Sequence, residues 1–358
     1  MSIAIVTGSG GLVGSEAVRR AVAAGYDVIG VENDMRARFF GRDASTAAVT
    51  DALVSELDEF RSLDADVRDR ERIDSIFAEH GAEIELIVHA AAQPSHDWAA
   101  REPHTDFGVN ALGTLNLLEA TRARCPEASF VFLSTNKVYG DLANSLPLIE
   151  LETRLELPAD HPYHAGIDTS MSIDRSTHSL FGVSKAAADL LVQEYGRYFE
   201  LPTVCLRCGC ISGPSHAGAM LHGFLAYLMR CTVTGDPYTV LGHGGKQVRD
   251  NIHAADLAEA CLAFHARPRA GAVYNLGGGR ESSCSMLEAI EACERISGSR
   301  LDWKLSDEAR IGDHRWWISD LDEFRADYPE WRLTRDVEVI LRELHAENAE
   351  RWLAAAAS

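Results

Sequence analysis

The sequence predicts an α/β fold: a doubly wound parallel sheet with a smaller C-terminal substrate lobe. Three observations predict it. Short apolar runs alternate with helical stretches from the first residue. A glycine-rich segment stands between the first strand and the first helix. The 358 residues suffice for one large sheet domain and an appended lobe. Taken in order, SIAIVTG (2–8) is an apolar run of strand length, and EAVRRAVAAG (16–25) has helical spacing that ends at Gly25. YDVIGVEN (26–33) is the next strand, and ELIVHAA (85–91), SFVFLST (129–135), PTVCLRC (202–208) and AVYNLGG (272–278) follow as buried strands. Between them NALGTLNLLEATRAR (110–124) and SKAAADLLVQEYGRYF (184–199) have helical spacing. The segment 141–177 carries few periodic signals and reads as an active-site loop with one short hairpin.

Past about residue 205 the alternation loosens into Gly-, His- and Arg-bearing loops with short helices, closing on an acidic helix from about 335. This places a dinucleotide-binding domain at 1–205 and a mainly substrate-binding lobe at 206–358. Some later segments are expected to return to the first domain. No internal repeat is present.

Composition narrows the function. Lys plus Arg number 34 against 54 Asp plus Glu, a net charge of −20, which argues against a nucleic-acid binder. A few Arg and Lys in a cleft still suit an anionic small ligand. No apolar run reaches membrane-spanning length, and the start, MSIAIVTGSGG, has no charged leader, so neither a membrane span nor a signal peptide is expected. The eight cysteines hold one CxxC, Cys205-Leu-Arg-Cys208, with no second to pair with it, and sit largely in apolar runs, which predicts reduced core residues of a cytoplasmic protein and no metal site.

TGSGGLVG at 7–14 places Gly8, Gly11 and Gly14 at the turn from strand to helix, the Rossmann arrangement for a pyrophosphate at a positive helix end. The expected cofactor contacts are Gly8, Gly10, Gly11, Leu12, Val13 and Gly14 here, and Ala90, Ala91 and Ala92 at a later strand end. Glu32, at the end of the second strand with Asn33 beside it, suits ribose hydroxyls and repels a 2′-phosphate, so NAD is expected over NADP. Arg36 and Arg38 lie close enough to be weighed as partners for such a phosphate. Asp66 and Val67 are placed to frame an adenine; a solvated loop acid is the other reading of Asp66.

In order along the chain, TGSGGLVG, DADVRD (64–69), HAAA (89–92), NALGTLNLLEA (110–120), STNKVYGD (134–141) and GKQVRDNIHAADL (245–257) resemble the extended short-chain dehydrogenase/reductases that modify nucleotide sugars, over roughly residues 1–330. The likeness is greatest to the CDP-paratose 2-epimerase (CDP-tyvelose epimerase) branch. The resemblance implies tightly held NAD, a homodimer through the helices at 106–124 and 182–199, and transient oxidation of a sugar carbon. It implies Thr135 as the hydroxyl residue and Lys185 as the lysine beside the nicotinamide ribose. The position of the catalytic tyrosine is Phe181, in HSLFGVSK (178–185), and phenylalanine moves no proton.

Three readings of Phe181 stand side by side: another group moves the proton, the tyrosine has been replaced to inactivate the protein, or catalysis is lost and a nucleotide-sugar binder remains. For the first, Lys137 is the leading candidate, with substrate hydrogen bonding as its plainer role; His178, Tyr163 and Cys210 follow. Related dehydratases carry an Asp-Glu pair where this chain has Asn136-Lys137, which favours epimerisation over loss of water, with an NAD-dependent lyase as the alternative. The resemblance places the substrate diphosphate, of a CDP- or UDP-sugar first, near Lys246, Arg249 and Arg315. Gln93, Ser95 and His96 are expected to line the sugar pocket together with Thr135, Asn136 and Lys137. Asn110 is expected to be structural and Asn116 to lie on a helix surface. The stretch 207–224 is expected to shape the choice of sugar.

Overall fold

The computed structural model describes residues 2–216, 223–308 and 312–356, apart from the Asp43 side chain. Seven strands form the main sheet: β1 (Ile3–Thr7), β2 (Asp27–Glu32), β3 (Phe60–Asp64), β4 (Ile84–His89), β5 (Ser129–Thr135), β6 (Thr203–Cys208) and β7 (Ala272–Leu276). Their order is β3-β2-β1-β4-β5-β6-β7, and every pairing is parallel. The order reverses between β1 and β4, and in such sheets the crevice beyond the strand ends at that reversal is where ligands sit. Strand residues alternate between two cores. Ala4, Val6, Val131 and Leu133 join one, while Ile3, Ile5, Phe130 and Phe132 join the other. That is why these strands read as unbroken apolar runs instead of alternating ones.

Eight helices matter for the site: α1 (Leu12–Ala23), α2 (Arg70–His80), α3 (Gly113–Arg124), α4 (Leu180–Phe199), α5 (Phe224–Thr234), α6 (Ala254–Ala266), α7 (Met286–Ser297) and α8 (Val337–Ala356). The helix expected from residue 110 begins instead as a π-turn over Gly108–Leu112, and regular α3 starts at Gly113. Asn110 lies in that turn, its amide bonded to the Gln93 carbonyl and to the side chains of Asp106 and Ser184. Asn116 is not simply a surface residue. Its amide donates to the Val67 carbonyl at 3.0 Å and so ties α3 to the loop after β3.

Beyond β6 the chain builds a third apolar cluster from α5, α7 and α8, yet returns with α6 and β7 to one of the sheet cores. A small sheet pairs Val248–His253 with Cys210–Ser212, Ser283–Ser285 and Trp316–Trp317. Within 141–177, Ile149–Glu150 and Leu155–Glu156 pair antiparallel. Among the described residues no helix is long and apolar enough to cross a membrane.

Candidate active site

A cavity of about 650 Å³ lies beyond the strand ends, and residues from both halves of the chain line it. At one side stands the glycine turn. Gly8 has φ +65°, open to glycine at little cost, and a methyl group on it would come 2.9 Å from the Ala91 backbone. A methyl on Gly14 would overlap the Gly8 carbonyl oxygen, so this glycine lets α1 pack against the turn. Gly11 caps α1 without a side-chain bond, which leaves the helix N-terminus facing the cavity. Gly8, Gly11, Leu12, Val13 and Gly14 line the cavity; Gly10 does not, but donates its N–H to Glu32 Oε2 at 3.1 Å.

Glu32 is fixed by its backbone neighbours. Oε1 accepts the N–H groups of Asn33 and Asp34 at 2.9 and 2.8 Å. Asp34 has φ +50° and accepts bonds from Ser45 and Thr46, which orders the segment behind Glu32. Glu32, Asn33, Arg36, Asp66, Val67, Ala90, Ala91 and Ala92 all line the cavity. Burial lowers the pKa of Arg36, whose guanidinium lies 5.1 Å from the centre of the Phe40 ring. Arg38 pairs with Glu102 at 3.0 Å. Asp66 is held by Arg68; burial raises its pKa, but the bonds and charge of Arg68 outweigh this and leave it low. The open helix end, the close backbone at Gly8 and the oriented carboxylate together fit a dinucleotide.

The chemistry-bearing residues stand at the end of β5 and the start of α4. Thr135, Asn136, Lys137, Phe181 and Lys185 all line the cavity. Thr135 ends β5, and its hydroxyl oxygen accepts the Lys137 N–H at 3.2 Å. Lys137 donates its ammonium to the Gly312 carbonyl at 2.8 Å. Lys185 is buried and donates to the Leu133 carbonyl at 2.7 Å. Burial pushes its pKa down to about 8, against the opposing charge of Asp189. Phe181 meets the imidazole of His96 edge to face, ring centres 5.1 Å apart.

Four expected pocket residues are spent elsewhere. Gln93 is buried and bonds Ser95 and Asp106, while Ser95 caps the next helix by accepting the Trp98 N–H. Neither lines the cavity, whereas His96 does. Lys246 is drawn away by Glu150 and the Leu151 carbonyl, which pin the hairpin. Arg315 also lies off the cavity, its Nε buried without a partner among the described residues. Arg249 does line it, together with Gln247 and Asp313. Of the lesser candidates, His178 bonds the Val138 carbonyl and Tyr163 packs under the hairpin region. Cys210 lines the cavity, and burial pushes its thiol up to about 11. The 207–224 stretch contributes Cys208–Ser212, His216, Gly223 and Phe224 to the wall; residues 217–222 lie outside the described residues.

The NAD dependent epimerase/dehydratase family matches residues 4–277. The chain belongs to this family. As a member of it, the chain uses NAD. It is 31% identical over 328 residues to CDP-paratose 2-epimerase of Salmonella typhi, covering 88% of this chain and 90% of that one. It is 27% identical to dTDP-glucose 4,6-dehydratase of Shigella flexneri, covering 81% and 78%. The structure of UDP-glucuronic acid 4-epimerase from Bacillus cereus, in complex with UDP-glucuronic acid and NAD, superposes with a TM-score of 0.77 at 19% identity, over 98% of this chain and 99% of that one. At that identity the likeness is one of fold. The family fits the sheet order, the reversal between β1 and β4, and the position of the cavity.

Proposed function

We propose that this epimerase/dehydratase family member is an NAD-dependent nucleotide-sugar epimerase of the CDP-paratose 2-epimerase kind, acting by transient oxidation of a sugar carbon. One observation carries the reading. Thr135, Lys185 and Lys137 converge on the cavity that also holds the dinucleotide turn, while the neighbouring position is Asn136, an amide that neither gives nor takes a proton. When bound, NAD supplies a reversible hydride acceptor. Thr135 holds the sugar hydroxyl, and the Lys185 ammonium lowers the barrier to alkoxide character on it. Lys137, fixed by Gly312, adds a second cation at the sugar. A dehydratase needs an acid for the departing hydroxyl, and Asn136 cannot be one.

The 206–358 half supplies most of the substrate wall, with Arg249 facing the diphosphate of a CDP- or UDP-sugar. The identity to a CDP-sugar epimerase supports the CDP choice. The protein is a homodimer: Leu180, Val183 and Leu190 form an exposed apolar stripe on α4, beside exposed Phe107 and Leu112. Its eight cysteines are unpaired, as in a reducing cytoplasm. The test is NMR of the protein with NAD and CDP-, UDP-, GDP- and dTDP-sugars in D₂O. A new sugar of unchanged mass and connectivity is expected; loss of water or no change on every sugar refutes the reading.

A further inference from the structure

Phe181 leaves the site without the phenol that would take a proton from the sugar hydroxyl. Against its ring lies His96, edge to face at 5.1 Å with 68° between the planes, on the wall of the same cavity. The imidazole is clamped from two further sides. Its Nδ1 is 2.6 Å from the Ser179 hydroxyl, and that hydroxyl also accepts the Gly182 N–H as the cap of α4. The same helix start therefore sets Phe181, Lys185 and the orientation of His96. Behind the ring stands Gly312, at φ +84°, where a methyl group would come 3.2 Å from Cε1 and Nδ1. The Gly312 carbonyl in turn holds the Lys137 ammonium.

His89 shows what a structural histidine looks like in this fold. It is buried, both ring nitrogens meet threonine hydroxyls at 2.7 and 2.9 Å, and burial with the Lys185 charge pushes its pKa down to about 3. His96 is half-buried at the cavity wall, with its Nδ1 at the Ser179 hydroxyl. Lys137 and Asp313 line the same cavity, the buried imidazole of His314 lies within electrostatic reach of His96, and Asp97 is exposed on its own helix.

We propose that His96 is a catalytic residue, moving through Nε2 the proton that a tyrosine at 181 would move. The proposal rests on the reading of the site as an oxidising sugar epimerase. In the forward step the sugar O–H bond breaks and an N–H bond forms at Nε2. The oxygen electron pair becomes the second bond of the carbonyl, and NAD, when bound, would supply the acceptor for the hydride of the carbinol C–H bond. The return step reverses each change on the other face of the sugar. Ser179 accepts from Nδ1–H in both protonation states, which keeps the Nε2 lone pair for the proton in the neutral ring. An imidazole has its ordinary pKa near 6.5, which suits proton transfer near neutrality better than a phenol near 10.

The experiment compares wild type with His96→Gln, Phe181→Tyr and the double variant, each as holoprotein, on a sugar that the wild type turns over. His96→Gln is expected to lose about 10²- to 10⁴-fold in kcat, with bound NAD unchanged. The double variant is expected to regain about tenfold or more. The readout beyond turnover is the His96 Cε1 proton resonance, assigned by its loss in His96→Gln, which is expected to shift when nucleotide sugar joins the NAD-loaded protein. A His96→Gln variant with kcat near wild type overturns the proposal. So does a loss that Tyr at 181 does not relieve, or a His96 resonance unmoved by a sugar that is turned over. If the wild type binds and converts no nucleotide sugar, the functional reading falls first and His96 with it.

Discussion

The Lys185 ammonium is held 2.7 Å from the Leu133 carbonyl, and Thr135 stands two residues further along the same strand. β5 thus carries both the anchor for the lysine and the hydroxyl it works beside. In the proposed reaction Lys185 acts as a cation, and burial has lowered it to about 8 from an ordinary 10.5. Activity is therefore expected to fall as pH rises through about 8. Stability is expected to move the opposite way: between the folded and ordinary values the unfolded chain holds the extra proton, so the Lys185 contribution rises with pH there. A kcat profile and denaturant unfolding across that range check both signs. Lys185→Met should cost about 10²-fold or more in kcat; a variant of unchanged kcat and unchanged basic limb would remove Lys185 from the chemistry.

Arg207 and Asp189 form a buried pair, Nη2 to Oδ1 at 2.7 Å, joined by the Tyr139 and Ser134 hydroxyls. Arg207→Met strands Asp189 without its cation inside the protein. A loss of about 3–5 kcal/mol in unfolding free energy is expected, since a buried charge without its partner keeps its desolvation cost. Arg207→Met with Asp189→Asn should lose clearly less. Equilibrium denaturation of the three proteins measures the difference.

Glu32 accepts three backbone N–H groups, from Gly10, Asn33 and Asp34, and so stands rigid at the cavity edge. Glu32→Ala removes the carboxylate that the expected cofactor pose sets against the ribose hydroxyls and against a 2′-phosphate. NAD binding should weaken about 10- to 100-fold, the worth of a charged hydrogen bond of about 1.5–3 kcal/mol. NADP should lose less, narrowing the preference between the two. Calorimetric titration of apoprotein with each nucleotide gives both numbers, and equal losses for the two would take Glu32 out of the discrimination.

The sheet and the cofactor turn were legible in the sequence because their signals are local. TGSGGLVG lies within one strand-turn-helix unit, and β1, β2, β4, β5, β6 and β7 read as apolar runs whatever packs on them, while β3, FRSLD, carries no such run. The sugar side was legible only in part. Thr135, Lys137, Phe181 and Lys185 reach one cavity because β5 and α4 are adjacent. Gln93, Ser95 and Lys246 kept the motif but spend their polar groups on Asp106, Trp98 and Glu150, which spacing does not reveal. The contact of His96 with Ser179 spans 83 positions, and Gly312 comes from further still. Only the folded chain brings those three together.

Leu190 is 49% exposed on α4, and Val183, one heptad earlier on the same helix face, is 45% exposed. Such a stripe on a wide helix face is expected to be covered by the same face of a second copy. Leu190→Arg should shift the protein from dimer to monomer in sedimentation equilibrium while leaving the monomer folded. A wild type that sediments as a monomer at the concentrations used for assay refutes the dimer.

On the proposed reading Asn136 sets the reaction type. It is buried, its Oδ1 lies 3.5 Å from the Thr135 hydroxyl, and it precedes Lys137 on the turn that ends β5. Elimination of water needs a proton delivered to the leaving hydroxyl, and an amide delivers none at neutral pH. Product mass in the wild type is therefore expected to equal substrate mass. Asn136→Asp places a carboxyl at that point but leaves Lys137 in place of the second acid. Such a variant should lose epimerisation, through the charge set beside Lys137 and Thr135, without gaining dehydration. Mass spectrometry of the product from both proteins separates the cases. Loss of water by the wild type would move the chain to the dehydratase side of its family.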